Sequence, residues 1–519
     1  MPTPGAQDDS IAFLADPASH GGADVLRLET HGNLIFLAGD EAWKIKRAVH
    51  FPYMDFSTLE RRHQACVAEF EINRRAAPEL YLGVVALTRE ADGRLAFNGK
   101  GPPIEWAVHM RRFAQEDLLS ARADSGTITD ALAKAVADRV LDSHAQAAVI
   151  SDPDGHARVQ RVLEPLIATL FGTHLGPRRV EAWAQAARDA LETHRALLNA
   201  RASAGHVRRC HGDLHAANIV LWRGEPMLYD AIEFDPEIAR IDTLYDLAFL
   251  LMDLGVRGAS RAANVILNRT LWRARTPDAI DALAPLPLFM SLRAAIRAMV
   301  TAERAVQEDA HARARDETKA DALLARAQTL LSLPPPRLVA VAGLSGTGKS
   351  TLAAALAPHL GGAAGAVHVR TDLVRKALAG VDETQRLPAE AYTADASLKV
   401  YASALQQAAR ALAAGASVVF DAVAAHAQER EGIARVAAQA GVRFDGLWLT
   451  GPEHVLAARV AQRQADASDA TADVVHAQAG WDTGELTIGW QSIDAAGTAT
   501  TTMLRAGHML GLTFPPSAS

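Results

Sequence analysis

The chain has 519 residues and a formal net charge of -7, with 49% apolar and 22% charged residues. That length is beyond one hydrophobic core and implies about two to four domains, while the composition excludes a disordered chain. The negative charge argues against broad, counterion-driven nucleic-acid binding, which needs clustered Lys and Arg. Two distant cysteines, Cys66 and Cys210, fit neither a metal-ligand spacing nor a disulfide framework. The opening MPTPGAQDDS lacks the basic and then apolar regions of a secretory signal. Apolar stretches such as LYDLAFLLMDLGV are interrupted by Asp246 and Asp253, so no membrane span is expected. A cytoplasmic location follows as the expectation.

After a flexible N-terminus over residues 1–19, short strand-like runs (NLIFLAGD, EAWKIKR, YLGVVALTRE, LAFN) surround one helical stretch, LERRHQACVAEFEINRR. This pattern predicts a strand-rich lobe over about 20–110. From about 115 to 330 the pattern is helical, broken by RRCHGDLHAANIVLW and EPMLYDAIEFD, whose short apolar runs sit beside turn-forming residues. Three consecutive prolines, Pro334 to Pro336, cannot continue the preceding helix and mark residues 331–336 as a linker. Beyond it, LVAVAGL, AVHVR, ASVVFDAV and FDGLWLT alternate with helical segments, so residues 337–519 are expected to form an α/β domain with a parallel sheet.

In the helical region, CHGDLHAANIVLW contains H-x-D-x-x-x-x-N as His211, Asp213 and Asn218, the catalytic-loop spacing of protein-kinase-like enzymes. There the aspartate accepts the hydroxyl proton and the asparagine coordinates magnesium. Asp230, in MLYDAIEFD, stands where a second magnesium ligand is needed, although no Phe-Gly follows it. HGDLHAAN, LYDAIEFD and IDTLYDLAFL together resemble the aminoglycoside phosphotransferase family over about residues 20–330. The resemblance implies an α+β bilobal kinase-like domain and a bracing role for Asp246. It also implies a strand lysine for the nucleotide phosphates and a helical glutamate to hold it. Lys44 and Lys46 share one strand face. Lys44, directly after an aromatic residue, is the first candidate and Lys46 the alternative, while Glu69 is the expected partner ahead of Glu71 and Glu60. A single glycine, Gly32, stands where protein kinases carry a glycine-rich loop, and WAVHMRRF would be the hinge that meets the adenine edge.

Past the linker, VAVAGLSGTGKST fits G-x-x-x-x-G-K-[ST] between an apolar strand and a helix, the context of a phosphate-binding loop. Gly343, Gly346 and Gly348 let the backbone curl so that the N–H groups through Ser345 and Thr347 face phosphate. Lys349 supplies positive charge, the Ser350 hydroxyl can ligate magnesium, and Thr351 follows on the helix near the nucleotide. This region resembles the small P-loop kinases, the gluconate kinase, zeta toxin and polynucleotide kinase-like branch of the AAA ATPases. In that group an acidic residue after the second strand activates the acceptor hydroxyl, which here implies Asp372 as base with Arg375 beside it. Asp421, ending a strand, is a candidate to hold magnesium. Arg459 and Arg463, at i and i+4, could cover the transferring phosphoryl as a lid.

The sequence therefore predicts an α+β bilobal protein-kinase-like domain followed by an α/β P-loop domain. Each would use ATP and Mg2+ to phosphorylate hydroxyls of small molecules. Two other readings remain open at this point: the first module as a nucleotide-sensing pseudokinase, or the second as a polynucleotide 5'-kinase.

Overall fold

The computed structural model describes residues 7–30, 32–51, 54–306, 308–462 and 467–514. The chain packs into two compact units, one of residues 1–158 and 198–259, the other of residues 159–197 and 260–519.

In the first unit, β1 (Val25–Glu29), β2 (Asn33–Ala38) and β3 (Glu41–Lys46) form a meander, and α1 (Leu59–Asn73) follows. The strands β4 (Tyr81–Arg89), β5 (Leu95–Phe97) and β6 (Pro103–Arg111) complete an antiparallel sheet in the order β1-β2-β3-β6-β4-β5. The Thr58 hydroxyl caps α1 by accepting from the Arg61 amide, one of the orphan donors of a helix start. Residues 106–111 are central strand, with backbone groups paired to β3 and β4. The expected hinge segment is therefore mostly sheet, and the next amide, that of Arg112, donates to the Asp40 carbonyl at 2.8 Å. The helical lobe supplies α2 (Asp130–Gln146), the short strands β7 (Val207–Arg209), β8 (Ile219–Trp222), β9 (Glu225–Leu228) and β10 (Arg240–Asp242), and the almost wholly buried α3 (Thr243–Val256).

The second unit contains α4 (Ser260–Ala274), α5 (Leu286–Ala305) and α6 (Ala310–Leu330), then β11 (Arg337–Gly343), α7 (Lys349–Leu356), β12 (Val367–Arg370) and α8 (Thr371–Leu378). It continues with α9 (Ala394–Ala413), β13 (Val418–Ala422), α10 (Ala427–Gln439), β14 (Arg443–Thr450), α11 (Glu453–Ala461), α12 (Ala472–Ala479), β15 (Trp490–Asp494) and α13 (Ala499–Leu510). All five strands are parallel in the order β12-β13-β11-β14-β15. The arrangement matches the alternation of strand and helix in the sequence, because parallel neighbours need a crossover helix.

The proline run does end a helix, at Leu330, and a strand begins at Arg337. Yet α4 to α6 group with the P-loop sheet, so the compact units differ from a division drawn at residues 331–336. Helix α4 lies against the P-loop sheet, where Asn264 and Asn268 bond to Ala364, Ala366 and His368, and α5 and α6 join a further helix of the same unit. Trp183 donates to Ser291 Oγ at 3.0 Å, and Ser291 donates to the Ala327 carbonyl at 2.8 Å, stitching α5 and α6 to the helix Pro177–Thr193. Prolines dictate where a helix stops; which core that helix joins is decided by its apolar face.

Candidate active sites

In β3 the alternation turns Trp43 and Ile45 into the core with Leu34 and Phe36, which leaves Lys44 and Lys46 on the opposite face. Both are buried and converge on Glu69, with Lys44 Nζ 2.9 Å from Oε1 and Lys46 Nζ 2.6 Å from Oε2. Beyond Glu69 they separate. Lys44 reaches Asp230 at 2.5 Å, whereas Lys46 pairs with Glu233. Contact with Asp230 is thus what distinguishes the two lysines. The rival glutamates Glu60 and Glu71 lie exposed on α1 and bind Gln64 and Arg74.

Burial works against charge at each of these groups, and their partners overrule it. Burial would lower Lys44, but Asp230 and Glu69 hold it well above the ordinary lysine range. Burial would raise Glu69, but the two lysines bring its carboxyl down to about 2. At Glu233 burial wins, and the carboxyl is pushed up despite Lys46. Asn73, one turn after Glu69, donates to the Glu69 carbonyl at 2.9 Å and accepts the Ala231 amide at 2.8 Å. Helix α1 therefore holds both the lysines and the chain beside Asp230. Asp230 has φ 61°, a left-handed conformation uncommon outside glycine and found at strained functional positions.

The catalytic-loop motif is held from below by α3. Asp246 accepts the amides of His211 and Gly212 at 3.2 and 3.0 Å and contacts His144 Nε2 at 3.0 Å. Seven residues later on the same helix face, Asp253 accepts the Ala216 amide at 3.1 Å. The bracing implied for Asp246 is thus directed at the loop backbone. Asn218 Nδ2 donates to the Asp213 carbonyl at 2.9 Å and to Oδ2 at 3.1 Å, so its nitrogen orients Asp213 and its side-chain oxygen is the atom suited to a cation. His211 is buried, which lowers its pKa and favours the neutral ring, and Nε2 contacts the Tyr229 carbonyl at 2.9 Å.

In the second unit the loop from Gly343 to Gly348 joins β11 to α7. Two glycines are sterically required. At Gly343 (φ 143°) and Gly346 (φ 83°) an added Cβ would lie 2.5 Å from the carbonyls of Leu449 and Leu456, closer than any Cβ can approach. Lys349 Nζ donates to the Leu344 carbonyl at 3.1 Å, where Thr347 Oγ1 also donates at 2.8 Å. The Ser345 amide donates to Gln478 Oε1 of α12 at 2.8 Å. Ser350 is half-buried and Thr351 exposed on α7.

Asp421 lies in β13 opposite Val341 of β11 and Arg370 of β12. Its Oδ2 is 3.4 Å from His368 Nε2 and 3.5 Å from Arg370 Nε. Burial would raise this carboxyl, but His368, Arg370 and Lys349 hold it at about 2, so it stays ionised. Asp372 is the second residue of α8; burial and Asp469 push the Tyr392 phenol up, Asp372 adds to this and Arg375 opposes it. Arg375 sits over the Tyr392 ring at 4.8 Å, donates to the Ala391 carbonyl at 2.5 Å and to Ser397 Oγ at 3.4 Å. Arg459 does not form the expected lid: its guanidinium donates to the carbonyls of Ala495, Ala496 and Gly497. Arg463 lies outside the described residues.

Sequence reasoning missed Glu233, Asn73, His368, Arg370 and Gln478. Glu233, His368 and Arg370 had a signal, since each lies within four residues of an expected site aspartate. Asn73 and Gln478 had none, because only the fold brings them to their loops.

Residues 338–481 match the AAA domain family model. The uncharacterized protein Rv2004c of Mycobacterium tuberculosis (strain ATCC 25618 / H37Rv) is 31% identical over 502 residues, spanning 93% of this chain and 94% of that protein. The uncharacterized protein Mb2027c of Mycobacterium bovis matches to the same extent. The chain belongs to this family. The match runs through both compact units of the chain. Similar solved structures cover part of the chain. A choline/ethanolamine kinase family protein from Mesorhizobium loti is 16% identical, with 63% of this chain and 99% of that chain covered at a TM-score of 0.39. A gluconokinase from Sinorhizobium meliloti 1021 is 22% identical, with 34% and 96% covered at a TM-score of 0.24. Among the described residues no helix is long and apolar enough to cross a membrane.

Proposed function

We propose that the chain is a bifunctional ATP-dependent phosphotransferase of the cytoplasm, each unit moving the γ-phosphoryl group of ATP to a hydroxyl of a small molecule. The observation that carries the reading is the Lys44 bridge, which joins Glu69 at 2.9 Å to Asp230 at 2.5 Å. It ties a phosphate-holding cation to a carboxylate beside the catalytic loop.

In the first unit Lys44 would hold the nucleotide phosphates, and Glu69 would keep its ammonium aimed. Asp213, fixed by Asn218, would take the proton of the acceptor hydroxyl as its oxygen attacks. The carboxylate of Asp230 and the side-chain oxygen of Asn218 are hard donors that suit magnesium, as are Ser350 and the ionised Asp421 in the second unit. Bound there, the cation would neutralise charge developing on the phosphoryl oxygens. In the second unit the loop amides and Lys349 would hold the phosphates, Asp372 would take the acceptor proton, and Arg375 would orient the acceptor beside it.

The Lys44–Glu69 pair also favours phosphoryl transfer over a purely sensing role for the first unit, because it aims a cation for the nucleotide phosphates. The test is ATP turnover by the full chain against panels of sugars, nucleosides and oligonucleotide 5' ends, repeated with Asp213→Asn and Asp372→Asn. Acceptor phosphorylation that each substitution removes for a different acceptor class is the expected result. Turnover that Asp213→Asn leaves untouched with every acceptor would return the first unit to a sensing role, and turnover confined to oligonucleotide ends would make the second unit a polynucleotide kinase.

A further inference from the structure

Strand β12 is an outer strand of the P-loop sheet. One side pairs with β13 from Val367↔Val418 to Arg370↔Asp421. The other side is an edge, and an unpaired edge leaves N–H and C=O groups without partners. Here α4 covers it with two asparagines one helical turn apart. Asn268 Oδ1 accepts the His368 amide at 2.7 Å, and Asn268 Nδ2 donates to the Ala366 carbonyl at 3.2 Å. Asn264 Nδ2 donates to the carbonyls of Ala364 and Ala366, both at 2.9 Å. A primary amide has the same donor and acceptor pair as a peptide group. By bonding to the carbonyl before Val367 and the amide after it, Asn268 reproduces the two bonds that one residue of a parallel neighbouring strand would make. Further contacts hold the same helix to the module: Arg269 lies 3.4 Å from Glu383, and Arg275, just past the end of α4, donates to the Val381 carbonyl at 2.9 Å.

The strand so held is the one that faces the P-loop chemistry. His368, whose amide Asn268 takes, directs Nε2 at Asp421 Oδ2, and Arg370 approaches the same oxygen. Thr371, which opens α8 just before Asp372, donates through Oγ1 to the Asp421 carbonyl at 3.2 Å. A shift in β12 along its axis would move the imidazole and guanidinium that orient Asp421.

We propose that Asn268 is a positioning residue of the P-loop site: acting through β12 and the His368 ring, it sets the carboxylate of Asp421 for magnesium–nucleotide binding. The active site of the second module thus includes a helix encoded before the proline linker. The proposal rests on the reading of Asp421 as a magnesium-holding residue.

The experiment measures ATP binding to the full chain by calorimetry, with and without magnesium, in an Asp230→Ala background that weakens the first site. The quantity read is the gain in P-loop affinity that magnesium confers, with the P-loop component defined as the part lost with Lys349→Ala. Asn268→Ala should reduce this gain roughly fivefold, about 1 kcal/mol, and leave magnesium-free ATP affinity nearly unchanged. In a His368→Ala background the same substitution should have a smaller effect on the gain, since only Arg370 then links β12 to Asp421 Oδ2. Arg261→Ala, which removes a contact of the same helix to the Ala354 carbonyl of α7 at 3.3 Å, should leave the gain intact. A gain unchanged by Asn268→Ala, with only a lower melting temperature, would reduce Asn268 to an edge cover and overturn the proposal. If Asn268→Ala fails to fold, the double variant His368→Ala/Arg370→Ala decides, since a wild-type gain in it removes the route to Asp421. Should Asp421→Ala itself retain the wild-type gain, the Asp421 reading fails first, and that result is distinct from either of the others.

Discussion

The two lysines at the centre of the two sites are held in opposite ways. Lys44 is buried between two carboxylates, one 25 residues and the other 186 residues away along the chain. Lys349 is half-buried and rests on the carbonyl of Leu344, five residues before it. One site is assembled from a strand, a helix and a distant loop; the other is nearly complete within a single strand-to-helix turn. A local site is preorganised by its backbone, whereas a dispersed one depends on a network whose members hold each other's charge. The first should therefore fail through any member, and the second chiefly through its loop.

The largest expected effect follows from the local site. Lys349→Ala should abolish nucleotide binding by the second unit and leave the first unit's ATP affinity unchanged in calorimetry. Parallel loss at both sites would mean that the two are not independent.

Next in size is the network. Glu69→Gln leaves Lys44 and Lys46 with Asp230 and Glu233 as their remaining charged partners, and breaking a buried ion pair from one side costs up to about 3–5 kcal/mol. Denaturant unfolding of the first unit should register that loss, with the P-loop site still binding ATP. A change of under about 1 kcal/mol, typical of a surface pair, would show that the network does not hold the first site together.

Division of labour gives a smaller effect. Asp213→Asn should slow turnover roughly a hundred-fold with ATP affinity preserved, because a base is removed and not a nucleotide contact. Asp230→Ala should instead weaken magnesium–ATP binding. Equal, mild effects of the two would contradict the roles assigned to them.

The smallest effect is in pH. Burial depresses both His211 and His368. Their unfolded imidazoles take protons below about 6.5 while the folded rings resist, so both units lose stability as pH falls through that value. The carboxylates separate the units. Asp421 is held at about 2, so its contribution is present above the ordinary range of about 4 and is lost as pH falls toward 2. In the first unit Glu69 behaves the same way, but Glu233 is raised and acts with the opposite sign. Calorimetric transitions followed from pH 7 to pH 3 should therefore show the steeper acid loss in the second unit. A steeper loss in the first would mean that Glu233 is ionised and firmly paired.

The same contrast explains what the sequence revealed. The P-loop was legible because its residues are contiguous and its glycines answer to fixed carbonyls. Asp213, Asn218 and Asp230 were legible through spacing along one short stretch. Alternation along β3 narrowed the lysine to two, but only the fold shows that Lys44 touches Asp230 while Lys46 turns to Glu233. The strand-rich lobe and the parallel sheet followed from periodicity. The allegiance of α4 to α6 did not, since a proline run reports a helix end and carries no information about which core the helix enters. Asn264 and Asn268 read as ordinary polar helix residues until the edge of β12 is placed beside them.

The most direct test of two nucleotide sites in one chain is the stoichiometry of magnesium–ATP binding to the full-length protein and to two single-site variants. Two ATP per chain are expected for the wild type, one for Lys349→Ala, one for Lys44→Ala and none for the double variant. A wild type that binds one ATP, lost entirely with Lys349→Ala and untouched by Lys44→Ala, would contradict the account.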